Sequence, residues 1–473
     1  MVSTFGSLAT AYSGLAAARA GIDVTGQNIA NAGTAGYTRQ RVTQSSIPAA
    51  QTGFMRGTAA LAGQGVSVDG IARLGSLTLD AGVRVAAGSS AYADARATAL
   101  SALEDGLNEP GKDGLSAKLD AFWSSWSELS THPDDPGAAG AVIGAATTVA
   151  RVLATGSKAV DAQWSSVHGT VQGQVQQLNA AATQVADLNG RIRTTLASGG
   201  NANELLDQRD QLTEQIATLA GGTVRANGDG TVDVLIGGNA IVQGSDARSV
   251  VLGGGERLAD GAPVTLTWTS GTAGAVSMSG GTIGGNLSLL APATANGTGG
   301  ALAEASASYD QVATKLAAAV NAVHATGTTP AGTTGTAFFA VTSGVPAAQG
   351  LTVVPTDGSG LATRNASGQL DDSFSDALSR LGAASDGADR TWATFVAGVG
   401  TASRSAASES TLTGLALTNA RSQQQSGAGV DLDEENVNLL SYQHAYQGAA
   451  RVLTAVDEML DTIINRVGLV GRG

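Results

Sequence analysis

The chain contains no cysteine, which excludes disulfides, thiolate metal sites and cysteine nucleophiles together. Aromatic residues make up only 4% of its 473 residues, which suits one thick globular core poorly. Basic residues are scarce: 26 Lys and Arg face 39 Asp and Glu, for a formal charge of −13. A nucleic-acid binder needs the opposite, a basic patch. No continuous run of about 18 apolar residues occurs, so no membrane insertion is expected. Met1–Gly6 has no basic n-region and no small-residue cleavage site, so no secretory signal peptide is expected. What is abundant is glycine, at 65 residues, within a chain that is 42% hydrophobic. That balance suits closely packed helices and turn-rich sheets, and the length suits roughly two to four domains.

The two ends carry the clearest pattern. Leu8, Leu15, Ile22 and Ile29 fall on a strict seven-residue period, with Phe5 and Tyr12 between them. Near the other end Leu439, Tyr442, Tyr446, Ala449, Leu453, Val456, Leu460, Ile463, Val467 and Val470 alternate steps of three and four. Such spacing is the mark of a coiled-coil seam. The C-terminal run would make a rod of roughly 45–50 Å, longer than the N-terminal helix can cover, so apolar seam is left for another molecule. Both tails are therefore expected to be poorly ordered in the isolated monomer. Residues 431–473 hold seven acids and three arginines, whereas 1–56 hold four arginines and one aspartate. This opposition favours pairing of the ends modestly.

Between the ends, helices are expected over about 88–130, 138–197 and 203–220, the second following a Pro133–Pro136 turn. From 222 to about 290 the period becomes two. Asn227-Gly228-Asp229-Gly230 reads as a hairpin turn, with further short strands at 249–252, 264–268 and 275–279. A helix near 301–325, a Thr/Gly/Pro-rich stretch over 326–372 and helices over about 374–424 complete the chain. The expected fold is mainly α with a β-rich insert (α+β), with terminal coiled-coil helices, an elongated helical bundle and nested, discontinuous domains. Its parts are 1–40 with 431–473 as the terminal coiled coil; 41–221 with 291–325 and 373–430 as the bundle; 222–290 as the β-rich insert; and 326–372 as an irregular outer segment.

No catalytic constellation emerges. Gly106 to Asp113 follows a phosphate-loop spacing, but Asp113 stands where a Ser or Thr must bind Mg²⁺. Asn227, Asp229, Thr231 and Asp233 alternate like a calcium loop, without its glycine at the sixth position or its final glutamate. His132, His168, His324 and His444 form no His-Glu-x-x-His pair. Asp134/Asp135 and Glu434/Glu435 stand at expected helix starts, where capping accounts for them. No enzyme activity, cofactor or metal is expected.

One segment is not explained by periodicity. Gln27-Asn28-Ile29-Ala30-Asn31-Ala32-Gly33-Thr34-Ala35-Gly36-Tyr37-Thr38-Arg39-Gln40 follows the first helix and closely resembles the N-terminal motif of the flagellar axial proteins of rod, hook and hook–filament junction. Asn203 to Leu212, Gln423 to Glu435, and Phe122-Trp123-Ser124-Ser125-Trp126 before the Pro133–Pro136 turn resemble the hook-associated protein 1 (FlgK) family. Hook and rod subunits of that superfamily turn into β-structure soon after the Gly-Tyr motif. This chain is expected to continue into long helices, as the junction family does.

The resemblance covers about two-thirds of the chain and implies a structural adaptor at the hook–filament junction. It would leave the cytoplasm unfolded through the type III apparatus and end extracellularly in the flagellum. The implied partners are further copies in a ring, the hook protein, a second hook-associated protein and a cytoplasmic export chaperone. The assembly interface is then expected at Leu8, Leu15, Ile22 and Ile29 against Leu439, Tyr446, Leu453, Val456, Leu460, Ile463 and Val467. Asn31, Gly36, Tyr37 and Arg39 would form the joint to the outer layer, and Leu453, Val456, Leu460 and Ile463 would meet the chaperone. A hook or distal-rod subunit is the alternative within the superfamily. A secreted hydrolase with 222–372 as its insert is the alternative outside it, and an adhesive or host-recognition surface on the β insert is a further one compatible with the junction role.

Overall fold

The computed structural model describes residues 4–48, 63–270 and 274–462. Helix α1 (Thr4–Asn31) is followed by an antiparallel pair, β1 (Gln40–Ser46) and β2 (Val66–Arg73). These strands lie where the sequence reading has the bundle already beginning. Only Gln40 and Val42 of β1 are buried, so the strand lacks the apolar alternation that would announce it.

The expected helix over 88–130 is two helices, α2 (Leu77–Leu107) and α3 (Leu115–Thr131). Asn108 takes left-handed geometry at the end of α2, and Pro110 then disfavours helix at the residue before it. The Gly106–Asp113 stretch is thus a helix-ending turn. Asp135 caps α4 (Pro136–Ala197) by accepting from the Gly137 amide, with Pro136 in the first turn. By length and mean hydropathy, α4 alone among the described helices is long and apolar enough to cross a bilayer. Here its apolar side is the spine of the core, with Val142, Val149, Leu153, Leu178 and Val185 wholly buried.

Helix α5 (Asn203–Ala220) leads into β3 (Thr223–Ala226), β4 (Val232–Ile236), β5 (Asn239–Gln243) and β6 (Asp246–Ala247), an antiparallel sheet in that order. A second pair, β7 (Val250–Gly254) and β8 (Val264–Trp268), follows. Two asparagines of α4 clamp these sheets to it: Asn189 bonds both backbone groups of Val232, and Asn179 both of Val250. The strand expected at 275–279 is reduced to one bridge, Ala275 to Thr267. The end of the supposed β-rich span is instead α6 (Gly281–Leu289), packed on α2 and α5.

Helix α7 (Ala301–His324) precedes β9 (Phe339–Val341), α8 (Ala347–Gly350) and β10 (Leu351–Val353), then α9 (Ser373–Ser379), α10 (Ala388–Ala428) and α11 (Leu432–Asp461). Helices α2 to α10 share one hydrophobic core with strands β3–β5 and β7–β10, whereas the β1–β2 pair lies outside it. The architecture is mainly α with small sheets.

The buried residues of α1 and α11, among them Ala11, Ala18, Val24 and Val456, are not part of that core. The two end helices pack on each other, antiparallel.

A terminal helix pair and its polar joint

Gly14, Gly21 and Asn28 of α1 face Ala449, Tyr442 and Glu435 of α11, one heptad step on each helix matching one on the other. Small residues allow the approach. The Tyr442 ring lies where a side chain at Gly21 would begin, 2.5 Å from its Cβ position. Ala11, Ala17 and Ala18 are buried beside it.

Leu8, Leu15, Ile22 and Ile29 lie one position round from this line and are only half-buried, as are Leu439, Leu453 and Leu460. Tyr446 is exposed at 37%, whereas Val456 is buried at 3%. Ile463 and Val467 fall outside the described residues. Each helix thus keeps an incompletely covered apolar edge.

The pair meets the rest of the molecule through polar contacts. Asn28 is 1% exposed and uses its whole side-chain amide. Its Nδ2 donates to the Gln40 carbonyl at 2.8 Å and to Glu435 Oε2 at 3.1 Å. Its Oδ1 accepts from Tyr37 Oη at 2.9 Å and the Gln40 amide at 3.0 Å. Asn31 ends α1, donating to the Gln27 carbonyl and accepting from Thr34 Oγ1. Gly36 then takes a φ of 77° with the Gln211 side chain packed where a Cβ would stand. That side chain donates to the Ala35 carbonyl at 2.7 Å.

Arg39 spans the joint. Its guanidinium binds Glu434 through two nitrogens at 2.9 Å and Glu435 at 2.6 and 2.7 Å, and its backbone amide donates to the Ala428 carbonyl at 2.9 Å. Hydrogen bonding to Glu434 heads the influences raising the Arg39 pKa, and the same contact lowers that of Glu434. On the bundle side Arg73 holds Asp207 at 2.6 Å and Asp210 at 2.7 Å. Burial works against the Arg73 cation, but the charges of Asp210 and Asp207 outweigh it and its pKa ends raised. Burial also raises the Asp207 pKa. Asp207 accepts from the Thr38 amide, and Asn203 reaches Gln40 Oε1 and the Ile71 carbonyl. Burial, reinforced by the negative charges of Asp207, Glu204 and Glu435, pushes the Tyr37 phenol up to about 12, so it serves as a fixed hydrogen-bond donor. The joint is a charge-assisted clamp.

The sequence reading names Asn31, Gly36, Tyr37 and Arg39, and the structure brings the last three to the clamp. It omits Asn28, Gln40, Arg73, Asp207 and Glu435 as functional residues. A polar residue on an apolar heptad face was the available signal for Asn28. Glu434 and Glu435 are explained equally well as acids at a helix start, which hides their pairing with Arg39.

The other candidate motifs are occupied locally. Asp229 accepts from Thr231, and Asp233 from Arg225 and Asn227, all within the β3–β4 turn. His132 pairs with Glu128, His168 stacks on Trp164, and His324 is buried. Among the described residues no cluster of three His, Asp or Glu could hold a metal ion.

Three family models match the chain. Residues 100–339 match the flagellar hook-associated protein FlgK helical domain. Residues 421–466 match the C-terminal model of flagellar basal body rod proteins, and 8–38 the flagella basal body rod protein model. The flagellar hook-associated protein 1 of Bacillus subtilis is 29% identical over 519 aligned residues, covering 100% of both chains. That of Escherichia coli is 30% identical over 70% of this chain and 59% of its own length. That of Salmonella typhimurium is 30% identical over 71% and 59%. The solved flagellar hook junction protein FlgK of Burkholderia pseudomallei aligns at 24% identity with a TM-score of 0.48, over 56% of this chain and 47% of that one.

The helical-domain match across the middle and the rod-protein matches on the paired end helices mark a protein of the bacterial flagellum. The chain belongs to the FlgK family of flagellar hook-associated proteins. Its role is structural, at the hook–filament junction, in association with other hook components.

Proposed function

We propose that the chain acts as a non-enzymatic adaptor ring, its copies joined through the α1–α11 pair and their bundles displayed outside it. The observation carrying this is the pair itself. It stands off the main core, and Leu8, Leu15, Ile22, Ile29, Leu439, Leu453 and Leu460 remain half-exposed along it. Apolar edges of this length on a single chain call for a second surface.

In this reading 1–40 with 431–473 form the inner tube and the Asn31–Arg39 clamp sets how the outer layer leaves it. The bundle comprises 41–221, 291–325 and 373–430, with 222–290 and 326–372 on its surface. The hook protein lies on one side and a second hook-associated protein on the other. The chain travels unfolded through the type III apparatus and works outside the cell. Before export a cytoplasmic chaperone covers Leu453, Val456, Leu460 and Ile463. Since Val456 is buried against α1, chaperone binding and α1–α11 pairing exclude one another.

Electron microscopy of cells lacking the gene, with flagellin assayed in the medium, tests the role. Bare hooks with soluble flagellin outside are expected. Normal filaments would remove the adaptor reading, and loss of the hook would favour a hook or distal-rod subunit. Leu453→Asp with Leu460→Asp tests the seam: incorporation should be abolished while the α2–α5 helices stay folded, and restored motility would refute it.

A further inference from the structure

Helices α1 and α11 and strands β1 and β2 pack on one another, and no helix of the bundle packs on them to a similar extent. Among the described residues, no buried apolar side chain of these four elements belongs to the common core. Two short segments connect them to the bundle: Leu74-Gly75-Ser76 runs from β2 to α2, and Gly429-Val430-Asp431 from α10 to α11. Both are held at Arg39. Its amide donates to the Ala428 carbonyl and its carbonyl accepts from the Leu74 amide, each at 2.9 Å. The covalent connections of the unit thus converge on one point.

Beside that point the bundle offers one face of α5, where Asn203, Asp207, Asp210 and Gln211 follow at steps of four, three and one. Asn203 reaches Gln40 and the Ile71 carbonyl, and Asp207 takes the Thr38 amide and Arg73. Asp210 also pairs with Arg73, and Gln211 donates to the Ala35 carbonyl. All four lie in the stretch Asn203 to Leu212 that stands out in the sequence. A dock built on hydrogen bonds and ion pairs exchanges them for water when it opens, which costs far less than parting an apolar interface of the same size. A cleft of about 770 Å³ between Ala32–Arg39, α2, α5 and the α10–α11 turn leaves room for movement. Gly75 and Gly429 give each connecting segment a residue that absorbs backbone rotation readily.

We propose that α1, β1, β2 and α11 form one lever that pivots at Arg39, and that the polar face of α5 is a releasable latch holding it at the inclination seen here. Helix α1 extends 28 residues from the joint, a lever of roughly 42 Å. A tilt of about 10° at Arg39 moves the far end by roughly 7 Å, so a copy changes its lean without disturbing its own core. The lever is a property of the single chain and does not depend on the ring.

The absence of cysteine allows paired spin labels to be placed on the purified full chain. Labels at Gln44→Cys on β1 and Gln184→Cys on α4, both exposed positions, report the lean. Labels at Gln44→Cys and at the exposed Gln443→Cys on α11 report the lever itself. With the latch intact, each pair should give one narrow distance distribution by pulsed electron spin resonance. Asp207→Ala, which opens the latch from the bundle side, should at least double the width for the first pair and leave the second unchanged. Arg73→Gln should do the same from the lever side, and decides the outcome should Asp207→Ala fail to fold. Broadening of both pairs would mean that the ends melt rather than pivot. A first pair that stays narrow in both variants, or is already broad with the latch intact, would mean that α5 does not set the lean. Each of these results overturns the proposal and leaves the junction role standing.

Discussion

Asn28 and Glu435 lie 407 residues apart in the chain and are joined by a 3.1 Å hydrogen bond from the Asn28 amide to the Glu435 carboxylate. Both are almost wholly buried, at 1% and 2% exposure. This contact locks the register of α1 against α11 and, through Arg39, ties that register to the joint. A polar pair inside an apolar seam selects one alignment at some cost in stability.

Asn28→Asp should therefore be severe although it is nearly isosteric. It replaces two donated hydrogen bonds with a second carboxylate facing Glu435. Loss of a charge-assisted bond costs about 2–3 kcal/mol, on the order of a hundredfold in the docking equilibrium. Incorporation into flagella, measured by immunoblot, should fall accordingly, while denaturation of the α2–α10 core keeps its midpoint. Normal incorporation would show that the register is set elsewhere.

Gly21 and Tyr442 offer a test with a built-in suppressor. A side chain at Gly21 starts 2.5 Å from the Tyr442 ring, inside any tolerable contact. Gly21→Val should abolish incorporation, and adding Tyr442→Ala should restore part of it by vacating the space. If the double variant is no better than Gly21→Val alone, the two helices do not meet in this register.

Amide hydrogen exchange separates the tails from the core. In dilute monomer Thr4–Asn31 and Leu432–Asp461 should exchange far faster than α4, because the pair lies outside the common core and its apolar edges are half-covered. In isolated flagella the same amides should be protected. Strong protection in the monomer would mean that the pair is complete within one chain.

The long helices are readable because their apolar residues recur at steps of three and four and their ends carry recognisable chemistry, as at Asp135-Pro136. The β3–β4 hairpin is readable from Asn227-Gly228-Asp229-Gly230 alone. The α2–α3 break is hidden because Leu100, Leu103 and Leu107 before it and Leu119, Phe122 and Trp126 after it serve one core, leaving Pro110 as the main warning. Helix α6 is disguised by Gly281, Gly284 and Gly285, of which Gly285 packs against the Tyr92 backbone with no room for a side chain. The seam shows in the sequence as a period. Of the clamp, Gly36, Tyr37 and Arg39 show through the family motif, but their partners do not, because Arg39 gives no sign of acids some 395 residues away and nothing local marks Asp207 as a partner.

His324 gives the fold a pH dependence whose sign can be worked out. It is 0% exposed, with Nδ1 2.6 Å from the Thr336 carbonyl and Nε2 accepting from the Ala362 amide at 3.0 Å. These partners suit one neutral tautomer, Nδ1 donating and Nε2 accepting. Protonation would set an Nε2 proton against the Ala362 N–H. Burial lowers the folded-state pKa below the ordinary 6.5, while the Thr336 bond opposes the shift. The unfolded chain therefore takes up a proton that the folded chain refuses. Above pH 6.5 the residue adds no pH dependence. As pH falls from there towards the folded-state value, stability is progressively lost, and below it the loss is constant. Urea midpoints across pH 5 to 8 should show the decline, and His324→Gln, whatever its own cost, should flatten it. An unchanged slope in His324→Gln would assign the dependence to other groups.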